Sequence, residues 1–192
     1  SIVTTFLVIG LSLLNSYALG IGRPRHINHY LVFIMLVMTL PAGALVYPRF
    51  YALRTLGLYN TRIAIIAILV VTHMAFGTYF LTSVFKGFPR EFIEAAELDG
   101  ISKISQLLRI VAPLNMPSMT VLSVFIFIWS WNEFYTPLIF LSSASKMTVP
   151  LAILLARVPM AEPQITNLTA ISFLSMIPCI VFFAVFRSYL RR

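Results

Sequence analysis

Two groups of polar side chains interrupt an otherwise oily sequence. Trp129, Asn132, Glu133 and Thr136 fall at i, i+3, i+4 and i+7, a spacing that projects all four from one side of a helix. An indole face beside amide, carboxylate and hydroxyl groups offers a stacking surface with donors and acceptors, chemistry suited to a polyhydroxylated solute. Glu133 would be costly against lipid, so that side is expected to face protein or a water-filled cavity. The second group lies in 88–113, FPREFIEAAELDGISKISQLLRIVAP, which holds four of the six acidic residues, Glu91, Glu94, Glu97 and Asp99. No G-x-x-x-x-G-K-[ST], H-E-x-x-H or G-x-S-x-G pattern occurs, so no catalysis is expected of the chain itself. His26 and His29 have no cysteine or carboxylate beside them in their loop and read as solvated histidines; no metal or cofactor is expected.

The elements that must position these groups are set by composition. Of 192 residues, 59% are hydrophobic and only 10% charged, and the mean hydropathy is +0.92. That excludes a soluble domain and gives an all-α, polytopic transmembrane helical bundle forming one domain. Five spans are expected, at about 2–22, 30–47, 63–85, 118–141 and 168–186, each near the ~20 residues that cross a ~30 Å hydrocarbon core. Pro41 and Gly43 interrupt the second, and Pro178 should bend the fifth. Asn15 and Ser16 in the first span should face other helices. His73, mid-way along the third, either lines a transport path or packs as a neutral, hydrogen-bonded side chain. Between the second and third spans, an interfacial helix should carry Phe50, Leu53, Leu56 and Gly57 on one face while Arg49, Arg54 and Arg62 stay wet. Another short helix is expected at 151–156 in the long connection that contains Pro159 and Pro163. Cys179 lies in an apolar run and reads as a packing residue. The net charge of +8 is spread over short loops, which fits membrane topology better than nucleic-acid binding.

Within 86–113 the residues spell helix, sharp turn, helix. Pro89 suits a first helical position, and the carboxylates after it suit the positive end of a helix. Gly100 stops that helix by taking a left-handed conformation cheaply. A second helix can start near Ser102, with Ile101, Ile104, Leu108 and Val111 along one apolar seam.

Glu94-Ala95-Ala96, then Gly100, then Ile110-Val111-Ala112-Pro113 resembles the EAA loop of permease subunits of binding-protein-dependent ABC importers. Ala112 departs from the pattern, where the family more often has leucine. The resemblance implies that 86–113 is a cytoplasmic coupling loop in which Glu91, Glu94, Ala95, Ala96, Asp99, Gly100, Ile110 and Pro113 engage an ATP-hydrolysing subunit. Trp131-Asn132-Glu133-Phe134 resembles a signature of the carbohydrate-type branch, which includes the maltose and glycerol-phosphate groups. It implies a substrate path carrying Trp129, Asn132, Glu133 and Thr136. The alternative kept open is that Trp131 anchors at the headgroup boundary and Glu133 makes a structural hydrogen bond.

With 86–113 inside, the inner segments hold nine basic residues (Arg23, Arg25, Lys86, Arg90, Lys103, Arg109, Arg187, Arg191, Arg192) against five outside (Arg49, Arg54, Arg62, Lys146, Arg157). The positive-inside rule favours that orientation. Ser1 would then lie outside, so an upstream span is expected, and the resemblance implies six spans in the full subunit. It also implies two ATPase subunits, a second and unlike permease chain, an external solute-binding protein and a sugar or sugar derivative as substrate, in a bacterial inner membrane. An ion- or proton-coupled secondary transporter, with His73 and Glu133 as coupling groups, is the competing expectation; a non-transporting membrane scaffold is the third.

Overall fold

The computed structural model describes residues 1–156 and 165–190, which form helices and turns without a strand. Arg157, Pro159, Pro163, Arg191 and Arg192, used above, lie outside the described residues. Helix α1 (Ile2–Ser16) runs on through a π-helical stretch at Tyr17–Ile21. It is followed by α2 (Ile27–Thr39), α3 (Val46–Thr55) and α4 (Arg62–Lys86). The polar stretch gives α5 (Arg90–Leu98), α6 (Lys103–Gln106), a π-helical stretch at Leu107–Val111 and α7 (Ala112–Leu114). Then come α8 (Met116–Asn132), α9 (Tyr135–Phe140), α10 (Val149–Ala156) and α11 (Ile165–Leu190).

Three stretches, Ile2–Ile21, Arg62–Lys86 and Thr169–Phe186, are each long and apolar enough to cross a membrane. Two bent pairs raise the number among the described residues to as many as five: Ile27–Thr39 with Ala42–Thr55, at 91°, and Lys103–Leu114 with Met116–Asn132, at 82°. The first bend falls where Pro41 pushes Leu40 out of the helical region, to ψ 124°. At the second, Asn115 leaves helical geometry just before Pro117, and its side-chain amide donates to the Val111 carbonyl at 2.8 Å. Helix α11 continues unbroken through Pro178.

α1 packs along α4, and α8 lies against both α1 and α11. Close approach of α1 and α4 depends on Gly77, where a Cβ would collide with the Ser12 hydroxyl. Ser16, fully buried, donates to the Thr78 carbonyl at 3.0 Å, whereas Asn15 is exposed, contrary to its expected placement against another helix. The two point to different sides because one residue of helix turns the side chain by about 100°. Stacked Phe127 and Phe182, 4.0 Å apart, and a bond from Trp131 Nε1 to the Ser175 carbonyl at 3.0 Å set α8 antiparallel to α11.

These contacts sort the chain to two ends. At one end Arg23 reaches the Lys86 carbonyl at 2.5 Å, and Phe85, Phe88, Ile93, Leu107 and Val111 share a buried cluster. At the other, Asn60 clasps the turn after α9: its Oδ1 accepts from the Ser142 and Ser143 amides at 3.1 and 3.2 Å, and Lys146 Nζ donates to its carbonyl at 2.6 Å. α2 buries no residue, and Phe33 and Leu36 are exposed, as are Phe173 and Ile180 of α11. Such apolar faces suit lipid or another apolar chain.

Candidate functional site

The elbow at 88–115 is built from local turn rules. Pro89 is the N-cap of α5, and Glu91 stands in its first turn, where the helix dipole favours a carboxylate. Gly100 takes φ +70°, a conformation that an L side chain resists. Its N–H donates to the Glu97 carbonyl at 3.0 Å, and the Ile101 N–H donates to Ala96 at 2.9 Å, the paired bonds of a Schellman motif. The Ser102 hydroxyl then caps α6 by accepting from the Ser105 N–H at 3.4 Å.

A buried amide ties this turn to the first span. Gln106, 1% exposed, donates through Nε2 to the Ile101 carbonyl at 2.8 Å. Its Oε1 accepts from the Tyr17 hydroxyl, also at 2.8 Å. Sequence reasoning missed both residues. A glutamine directly before the apolar pair Leu107-Leu108 was the available signal.

The expected seam through Ile101, Ile104, Leu108 and Val111 needs correction. Val111 is buried, but Ile104 and Leu108 are 67% and 58% exposed, and Leu107 at 2% takes the inner place. The π-helical stretch at Leu107–Val111 inserts extra arc into the turn, so a count by α-helical steps loses phase. Of the residues singled out for coupling, Glu91, Glu94, Ala95, Asp99, Gly100 and Pro113 are exposed, Ile110 is half-buried, and Ala96 packs inward. Leu98, 90% exposed, stands out beside them with Ile104, Leu108 and Phe92. Behind α5, Arg23, Arg90, Glu94 and Glu97 line a cavity of about 220 Å³.

The second constellation does not lie on one helix side. α8 ends at Asn132, Glu133 is extended with ψ 120°, and α9 begins anew at Tyr135. Pro137 explains the break: it has no N–H to offer Glu133, and its ring would clash with that carbonyl in a continuous helix. Glu133 Oε1 instead accepts from the Thr136 N–H at 2.8 Å and caps α9. Thr136 is buried. Glu133 lines a cavity of about 210 Å³ with Ser1, Thr4, Arg62, Ser130 and Lys146. Asn132 donates to the Ile128 carbonyl at 2.9 Å and opens to another cavity, beside Leu154 and Ser172. Trp129, 40% exposed, sits apart from both, its ring centroid 4.9 Å from Phe76, 5.7 Å from Phe125 and 5.8 Å from His73.

Arg49, expected to stay wet, is half-buried and donates through Nη2 to the Thr72 hydroxyl at 3.1 Å. The bend after α2 starts α3 at Val46 and turns Arg49 onto α4. On its other side, α3 buries Leu53 with Ala64, Ile68 and Phe140.

Residues 5–192 match the family model described as the binding-protein-dependent transport system inner membrane component. The arabinooligosaccharides transport system permease protein AraQ of Halalkalibacterium halodurans is 28% identical, over 98% of this chain and 67% of its own. The inner membrane ABC transporter permease protein YcjP of Escherichia coli is 31% identical over 80% of this chain and 55% of its own. The sulfoquinovosyl glycerol transport system permease protein SmoH of Agrobacterium fabrum is 29% identical over 97% and 65%. Thus the chain spans from about half to two thirds of the length of these relatives. A solved bacterial ABC transporter involved in the import of the acidic polysaccharide alginate has the same fold, with TM-score 0.77 at 23% identity over 98% of this chain and 72% of that one. By the extent of the family match, this polytopic helical membrane chain belongs to the binding-protein-dependent transport system inner membrane components.

Proposed function

We propose that the chain is the non-catalytic permease subunit of an ATP-driven importer for a sugar or sugar derivative, and that the elbow at 88–115 couples it to a separate ATPase pair. The observation that carries this reading is the two-sided elbow. Ile93, Ala96, Leu107 and Val111 are buried against the bundle, while Leu98, Ile104 and Leu108 stand clear of it at the same end. Exposed apolar side chains beside exposed carboxylates suit a cleft on a soluble partner better than lipid. The turn fixed by Gly100 and the Tyr17–Gln106 bond makes the elbow a lever, because force on α5 reaches α1 through a hydrogen-bonded path. ATP-driven closure of the partner would then tilt the spans between inward-open and outward-open states, provided the ATPase contacts the two states differently.

The sugar reading takes its support from the permeases for arabinooligosaccharides and sulfoquinovosyl glycerol and from the exposed Trp129 surface. An unlike second permease chain and an external binding protein complete the proposed assembly, with the elbow on the cytoplasmic side of the inner membrane. Leu98→Glu tests the reading. Its side chain is almost wholly exposed, so the permease should still fold and insert, while co-purifying ATPase and binding-protein-stimulated ATP hydrolysis should fall at least tenfold. Unchanged hydrolysis would refute the coupling role.

A further inference from the structure

Arg23 is a cation that the proposed function has not used. It stands just past the π-helical end of α1 at φ +41°, in the left-handed region. Its Nε donates to the Gly20 carbonyl at 3.4 Å and its Nη2 to the Lys86 carbonyl at 2.5 Å. Both carbonyls lie in the last turn of their helices, where the dipole favours a cation, so one side chain caps the ends of α1 and α4 together. The same arginine borders the cavity of about 220 Å³ behind α5 that Arg90, Glu94 and Glu97 also line. Among the described residues no ion pair joins any of these four charges. Arg90 and Glu94 are four apart on α5 and suit each other, which leaves Glu97 for Arg23. At about 100° per residue, Glu97 also stands nearer than Glu94 to the face that buries Ile93 and Ala96.

We propose that Arg23 is a latch for the elbow: it holds the ends of α1 and α4, and it pairs with Glu97 when a closing ATPase drives α5 into the cavity. This rests on the coupling role proposed above. The cavity supplies the room for α5 to move. The guanidinium supplies the bonds, because two of its five donors hold the carbonyls and the others remain for a carboxylate. Phe85 and Phe88 wall the cavity, so the pair would be screened less there than in bulk water. An ion pair made only in the closed state favours that state and carries the stroke of α5 to two spans at once.

The test uses the assembled transporter in proteoliposomes, with ATP and orthovanadate as the probe, since vanadate traps ADP in the closed ATPase pair. Arg23→Gln keeps an N–H donor for a carbonyl but loses the charge, and Glu97→Gln removes the carboxylate alone. Each should raise the ATP concentration for half-maximal trapping about fivefold, and the double variant should raise it no further than either single one. Arg23→Lys should stay near the wild type. Added salt should raise the wild-type value more than that of either glutamine variant, a response that a purely structural clamp would not give. Additive effects of the two substitutions would overturn the latch and leave Arg23 as a clamp between α1 and α4. A Glu97→Gln variant that traps as the wild type does would overturn it too. Both results leave the coupling role standing, because an ATPase is bound and closes. A wild-type chain that co-purifies with no ATPase would overturn the latch and the coupling role together.

Discussion

The elbow and the opposite end of the bundle both carry polar groups, but different rules hold them. At the elbow, polar groups close a turn: the glycine, the serine cap and the buried glutamine each satisfy a backbone group within a few residues. At the opposite end, Pro137 breaks the helix, and Trp129, Asn132 and Glu133 enter three different surroundings. The elbow is therefore one hydrogen-bonded structural unit, whereas the polar side of α8 is not one site.

The largest effect should come from the inner face of the elbow. Leu107→Ala removes a buried side chain and should destabilise the protein by about 2–5 kcal/mol. Ile104→Ala, on the exposed face, should change stability by less than about 0.5 kcal/mol. Thermal unfolding in detergent compares the two. Equal losses would restore the seam expected from helical spacing. Next in size is Gly100→Val, which forces a β-branched residue to φ +70° at about 1–2 kcal/mol. Sugar uptake should fall while ATP hydrolysis persists. Unimpaired uptake would remove the turn from the mechanism.

Tyr17→Phe should cost about 1 kcal/mol, a typical net value for one hydrogen bond. It should also reduce uptake per ATP, which a purely structural bond would leave unchanged. The smallest effect sharpens the other end. Glu133→Ala removes the cap on α9 at about 1 kcal/mol, whereas Glu133→Gln keeps a carbonyl oxygen for the Thr136 N–H and should be nearly neutral in stability. Equal destabilisation by both would show that charge, and not capping, matters there.

How much could be read beforehand follows the same division. The Pro89 start, the Gly100 stop and the Ser102 cap were legible because each depends on one residue and its immediate neighbours. The break at Pro41 was legible for the same reason. Phase was not. A π-helical stretch displaced Ile104 and Leu108 from the core, and Pro137, within the residues assigned to one span, ended the side shared by Trp129 and Thr136. Long-range pairing was also hidden: nothing local to Tyr17, Arg49 or Asn60 names Gln106, Thr72 or Ser143 as its partner.

The most direct test of the coupling elbow is site-specific cross-linking in the assembled membrane complex. The chain has a single cysteine, Cys179, so Cys179→Ser gives a background for Leu98→Cys and Leu107→Cys. Leu98→Cys should form a disulfide-length cross-link to a cysteine in the ATPase cleft, with a yield that changes when ATP binds, while buried Leu107→Cys should form none. A Leu98→Cys that never links to the ATPase, in either nucleotide state, would contradict the account.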